Sequence, residues 1–248
     1  MKHPLMTKVL STFIPLLLLL PLASAEETGK YMEPTPAEEA KALAYIKALP
    51  PAQLLEKGDQ GKTRFFWAVC NGTNQIRDYI LSKVDGEILA DDPEYQKLFG
   101  CCNSNSWCPA DNIKGIASLG FHPSTEDLMV SLANSNQCST AKFDATFALN
   151  PPLDDKIGLG NILHQIAEKS AQGRPILNRD CLMHAIDEIS KKAPQLLSGK
   201  DIDGRTPLEV AVYKKAHPKL WGSALQAKDF VPIIEELRKL EPKKKLNP

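Results

Sequence analysis

Two stretches far apart in the chain, "TPAEEAKALAYIKAL" from Thr35 and "TPLEVAVYKKA" from Thr206, open in the same way. A threonine suited to an N-cap precedes a proline at the first helical position, and a glutamate three residues after the threonine can reach back to the cap. Leu43, Ile46 and Leu49 share one face of the first helix, which Pro50-Pro51 ends; Leu208, Ala211 and Val212 form the expected apolar stripe of the second. "KTRFFWAVCNG" is a variant without proline, with Thr63 as cap and Phe65 and Ala68 facing in. Capped helix starts of this kind, without any sustained period-2 alternation of β-branched and polar residues, restrict the chain to an all-α fold of short helices.

The helices come in pairs. After Asn71-Gly72, Ile76, Tyr79, Ile80 and Val84 recur at helical spacing. Ser124 to Asn134 predicts a short capped helix with Leu128, Met129 and Leu132 inward. "NILHQIAEKS" and "NRDCLMHAIDEISKKA" form another pair. The last helix, "KDFVPIIEELRKL", places Phe230, Ile233, Ile234, Leu237 and Leu240 on one side.

The first 25 residues carry a separate message. Lys2 and Lys8 precede an apolar run from Val9 to Leu22 that Pro15 and Pro21 interrupt, and Ala23-Ser24-Ala25 offers a small-x-small cleavage site. This is the pattern of a secretory signal peptide over 1–25, followed by a flexible lead-in over 26–34. The expected product is exported, periplasmic or secreted, with no stable membrane insertion after cleavage. Without the two leader lysines, 28 basic residues face 30 acidic ones. That balance lacks the basic excess of a nucleic-acid binder, and the C-terminal "PKKKLNP" reads as a solvated end.

The strongest pattern is "KDIDGRTPLEVAV", Lys200 to Val212. Asp201, Gly204, Thr206, Pro207, Leu208 and Ala211 fill the opening Asp-x-x-Gly-x-Thr-Pro-Leu-x-x-Ala, and on these residues the chain resembles the ankyrin-repeat family. "GDQGKTRFFWAVCNG" is similar, through Gly61, Thr63, Phe65, Ala68 and Gly72, and "GNILHQIAEKS" resembles it through Leu163-His164 and Ala167. Phe65 and Leu163 lie 98 positions apart, close to three periods of about 33. Leu163 to Leu208 allows one repeat and an insertion near Ser170–Asn178. One or two degenerate units are implied between 100 and 150. The resemblance implies an irregular solenoid of three to five helix pairs over 35–248, best matched near 58–84, 158–197 and 200–240. Glu209 and Phe66 stand where the family usually has histidine, so only His164 is left to make the family's loop-bracing hydrogen bond.

Signals for catalysis are weak. Asp201 and Asp203-Gly204 are reminiscent of a calcium loop, but Gly199 and Val210 occupy the positions where an EF-hand needs oxygen ligands. His122, His164, His184 and His217 show no metal-ligand spacing, and the paired acids read as solvated. No cofactor and no metal is expected.

Six cysteines remain: Cys70, Cys101, Cys102, Cys108, Cys138 and Cys181. The cluster 101–108 lacks the Cys-x-x-Cys spacing of a dithiol redox site and the paired spacing of a zinc site. An exported chain with an even number of cysteines favours disulfides. Adjacent Cys101 and Cys102 are expected to take different partners, one of them closing a small loop to Cys108; which one, among 15 possible pairings, spacing does not decide. The expected function is non-catalytic protein binding, and the resemblance in an exported chain implies a bacterial periplasmic factor or a secreted effector acting on host proteins. By the resemblance, a protein partner would meet the hairpin tips and the concave face, through Asp59, Gln60, Lys62, Lys200, Ile202 and Arg205, with Trp107 presented by the cysteine loop. The competing readings are a thiol-based oxidant-defence protein centred on Cys101, Cys102 and Cys108, and an inhibitor acting through the 100–150 segment.

Overall fold

A computed structural model describes residues 35–57, 61–71, 74–83, 95–104, 108–133, 138–169, 179–217 and 227–241. The predicted leader and lead-in, Val84, the expected insertion at 170–178 and the basic tail lie outside the described residues. The chain divides into two units, Met1–Leu49 and Pro50–Pro248. In the first, α1 (Pro36–Lys47) starts as its sequence predicts: Thr35 Oγ1 accepts from the Glu38 amide at 3.3 Å, and the Glu38 carboxylate accepts from the Thr35 amide at 2.8 Å. The Thr35 amide, together with the Thr35 hydroxyl that donates to the same oxygen at 2.8 Å, holds the Glu38 carboxyl below its usual range.

The second unit is helical throughout its described regular structure; the only bridges found there are isolated ones, Lys57 to Thr63 and Ile157 to Gly160. Among the described residues a single turn, α2 (Pro51–Leu54), leads into ten α-helices: α3 (Arg64–Asn71), α4 (Asn74–Leu81), α5 (Leu98–Ser104), α6 (Ala110–Ala117), α7 (Thr125–Ala133), α8 (Thr140–Phe147), α9 (Ile162–Lys169), α10 (Arg179–Lys192), α11 (Pro207–Ala216) and α12 (Val231–Leu240). Consecutive helices pair as α3/α4, α5/α6, α7/α8, α9/α10 and α11/α12. The pairs stack in order, so α3, α5, α7, α9 and α11 form one row, and α4, α6, α8, α10 and α12 form a second.

Most of these helices have two to three turns, too short to be stable alone; packing must hold them. The apolar faces do so. Phe65, Val69, Leu98, Phe99, Leu128, Ile162, Ile166 and Ala211 are buried in the first row, and Ile80, Ile113, Ile116, Phe143, Ile186, Ile189, Ile233 and Leu237 in the second. The inward residues expected on α7 and α12 are those found, with Leu240 partly buried. α11 departs from expectation. Pro207, Val210, Ala211 and Lys214 face in, and Val212 is 41% exposed. The stripe turns because Lys214 lies buried where an apolar residue would continue it. Thr63 caps α3 as predicted, accepting from the Phe66 amide at 3.0 Å. The Ala68 side chain falls outside the described residues.

Each junction between pairs has its own tie. Cys70–Cys101 joins α3 to α5, and the Asn112 amide on α6 donates to the Val69 carbonyl at 3.2 Å. Cys138–Cys181 joins the residue before Ser139, which caps α8, to α10. The other two junctions carry buried lysines. Lys142 of α8 donates to the Cys102 carbonyl at 2.9 Å, beside Asn103, whose amide donates to the Asp127 carbonyl at 2.9 Å. Lys214 of α11 reaches Glu168 of α9 at 3.4 Å. Both lysines carry lowered pKa values because burial disfavours the ammonium, Lys142 to about 8. The third disulfide, Cys102–Cys108, is local to the second pair. It answers the question left open above: Cys102 closes the small loop and Cys101 reaches back to Cys70.

Candidate functional site

Four loops that lead into first-row helices carry a glycine with positive φ. They are Gly61 before α3, Gly120 before α7, Gly158 before α9 and Gly204 before α11, at +70°, +86°, +57° and +76°. Only a residue without Cβ adopts this conformation freely. In the last loop the Asp201 carboxylate fixes the turn: Oδ1 accepts from the Asp203 amide at 3.0 Å and the Arg205 amide at 2.7 Å. The chain returns through Asp201 N–H to the Arg205 carbonyl at 2.9 Å. Asp201 is thereby committed to backbone, and α11 begins with both halves of the capping box at Thr206 and Glu209. Hydrogen bonds from Lys200 at 2.8 Å and from the Thr206 amide bring the Glu209 carboxyl down to about 2.

The turns before α9 and α11 are fastened together. Ile202 N–H donates to the Leu159 carbonyl at 2.9 Å. His164 makes a second link. Its Nδ1 accepts from the Asn161 amide at 3.1 Å, which leaves Nε2–H to donate to the Arg205 carbonyl at 2.8 Å. The imidazole is therefore the neutral Nε2–H tautomer, and at 3% exposure it works inside the stack. Gly160 makes room for it, since a Cβ there would lie 2.7 Å from the ring.

Each of the two fastened turns carries a large aliphatic side chain exposed to water. Ile202 is 74% exposed and Leu159 is 56% exposed. Leu159 also lines a cleft of about 140 Å³ between α9 and α11, whose walls include Gln165, Glu168, Arg205, Tyr213 and Lys214. The Arg205 guanidinium sits 4.2 Å over the Tyr213 ring and 3.2 Å from the Asp203 carboxylate.

Of the residues predicted from sequence, Lys200, Ile202 and Arg205 come together in this one turn. Lys62 stands at the far end of the same row, its ammonium 4.5 Å from the Phe66 ring centre. Asp59, Gln60 and Trp107 lie outside the described residues. Leu159, Gln165, Glu168, Tyr213 and Lys214 were not expected. Leu159, an apolar residue between Gly158 and Gly160, carried the one local signal, because an exposed turn has no packing use for it.

All six cysteines are bonded and none is free. Cys70, Cys102 and Cys108 are buried and Cys101 is partly so, so the oxidised chain holds no thiol nucleophile. The 100–150 segment contributes the second and third helix pairs. No helix among the described residues is long and apolar enough to cross a membrane, and no group of three or more His, Cys, Asp or Glu among them is placed to hold a metal ion. No family model, no curated protein and no solved structure matches this chain.

Proposed function

We propose that this chain is an exported, non-catalytic protein-binding scaffold of the ankyrin-repeat type, whose partner docks on the turns ahead of the first-row helices. The observation that carries the binding role is the pairing of Leu159 and Ile202. Single exposed aliphatics are ordinary on any surface, but here two large ones stand exposed on turns that a backbone hydrogen bond joins, which favours a binding surface. The ankyrin-type reading is supported by the Asp201–Ala211 sequence pattern, by helix pairs stacked in two rows, and by the bond from His164 to the turn of the next pair. Three disulfides fit an oxidising compartment, which favours the exported product that the first 25 residues suggest.

A photo-crosslinking amino acid placed at Ile202 tests this, with the same group at Lys239 on the exposed side of α12 as control. Periplasmic and host-cell extracts are the sources of partner. A discrete protein crosslinked from position 202 and absent from position 239 supports the proposal. No crosslinked protein, or the same set from both positions, contradicts it.

A further inference from the structure

Five of the six cysteines are sealed in the stack: Cys70, Cys102, Cys108, Cys138 and Cys181 are each 3% exposed or less. Cys101 is the exception, partly exposed on α5. Thiol–disulfide exchange requires an incoming thiolate to reach a sulfur, so access decides which bridge a reductant opens first. Cys102–Cys108 and Cys138–Cys181 are buried at both ends, whereas Cys70–Cys101 is reachable at one.

The reachable bridge also closes the end of the stack. It ties α3 to α5, and so the first helix pair to the second. Among the described helix pairs the first stacks on one neighbour, where the second, third and fourth stack on two. α3 and α4 have eight residues each, too short to hold their form without packing. Without the bridge the pair still has its apolar face of Phe65, Val69 and Ile80. It also has polar contacts to α6 that run through one side chain: the Asn112 amide donates to the Val69 carbonyl at 3.2 Å, and the Arg77 guanidinium donates to Asn112 Oδ1 at 2.9 Å.

We propose that Cys70–Cys101 is a redox latch, which a reducing dithiol opens selectively to loosen the first helix pair while the other two bridges and the later pairs stay closed. A thiolate of the dithiol attacks Cys101 Sγ and forms a mixed disulfide. The Cys70–Cys101 bond breaks, and Cys70 leaves as a thiolate that takes up a proton. The second thiol of the reductant then displaces Cys101, so the dithiol ends as a disulfide and both cysteines end as thiols. Reoxidation closes the same latch, because Cys102 is still bonded to Cys108 and Cys101 is the thiol left for Cys70. The docking turns of Leu159 and Ile202 belong to the fourth and fifth pairs, so the latch does not rest on the binding role proposed above.

The disulfide-bonded chain is treated with graded dithiothreitol, quenched with iodoacetamide and mapped by peptide mass spectrometry. Cys70 and Cys101 should become alkylated about tenfold faster than the other four cysteines. At the concentration that opens this bridge alone, native-state hydrogen exchange should accelerate about tenfold in α3 and α4 and stay unchanged in α9 to α12. Removing the reductant should restore the original rates. The double variant Cys70→Ser, Cys101→Ser should show the loosened pattern without reductant. Equal alkylation of all six cysteines, or earlier opening of another bridge, overturns the proposal. So does selective opening with no acceleration in α3 and α4, or with equal acceleration in α9 to α12, or a double variant that exchanges as the native chain does.

Discussion

Replacing His164 by leucine isolates the link between the fourth and fifth helix pairs. Leucine preserves most of the buried volume, so cavity formation contributes little. Two hydrogen bonds are lost: Nε2–H to the Arg205 carbonyl at 2.8 Å, which holds the turn before α11 against α9, and Asn161 N–H to Nδ1 at 3.1 Å, which orients the ring at the start of α9. Both backbone groups are partly buried, so each loses about 1 kcal/mol when its partner goes, at the lower end of the range for an unsatisfied buried group. The expected loss is about 2 kcal/mol. Because the link lies at one end of a stack in which each pair touches its neighbours, the loss should be local. Native-state hydrogen exchange reads it directly: amides of α11 and α12 should exchange roughly 30-fold faster, with α5 and α7 unchanged. A change below about threefold, or equal acceleration in α5 and α7, refutes the claim that His164 couples these two pairs.

The disulfides should rank by the chain length each one closes. Cys138–Cys181 spans 43 residues and Cys70–Cys101 spans 31, which the loop-entropy relation converts to about 4 kcal/mol each; Cys102–Cys108 spans 6 and gives about 2 kcal/mol. Urea unfolding of the three double-alanine variants checks the order, and a costliest loss at Cys102–Cys108 would contradict it. Lys142 predicts a pH dependence. Its folded pKa, lowered to about 8 by burial, lies below its unfolded value of about 10.4. The unfolded chain therefore binds more protons in that interval, and stability should rise as pH climbs from about 8 to 10. Comparing unfolding midpoints of the native chain and Lys142→Met over this range isolates the effect; parallel curves would show that Lys142 does not cause it.

The sequence reading succeeded where a local signal repeated. Thr35, Thr63 and Thr206 cap the helices they were expected to cap, because capping depends on residues three positions apart. α5, α6 and α8 went unread. Each has seven or eight residues, about two turns, which is too short for an apolar period to stand out from its neighbours. Ser139 did carry a cap signal for α8, with its hydroxyl accepting from the Lys142 amide. Long-range features were illegible for a different reason. Val212, expected inward, is exposed while Lys214 is buried, because the partly exposed Glu168, 46 positions away, offers the Lys214 ammonium a partner. Likewise Cys101 and Cys102 were known to need different partners, but only the stacking of α3 against α5 selects Cys70 for Cys101. Part of the candidate site was readable through Ile202 and Arg205. Gln165 was not, since an amide on a helix looks like a surface residue until its burial is seen.

The junctions follow an alternation that neither composition nor spacing suggested. The first and third are closed by disulfides, while the second and fourth contain buried lysines that bond to groups on the preceding pair. Buried polar contacts of this kind are a weak source of net stability, but they penalise misregistered stacking, where the ammonium would be left unsatisfied. The disulfides then supply the stability that short helices lack.

The central claim is that the paired turns at Leu159 and Ile202 are the docking surface. The most direct measurement is the affinity of the partner crosslinked from position 202 for the native chain, for Ile202→Asp, for Leu159→Asp, and for Glu236→Lys on α12 as control. An apolar anchor at the centre of an interface is worth about 2 kcal/mol or more on truncation, so each turn variant should bind at least tenfold more weakly while the control binds as the native chain does. Unchanged affinity in both turn variants, or an equal loss in the control, would contradict the account.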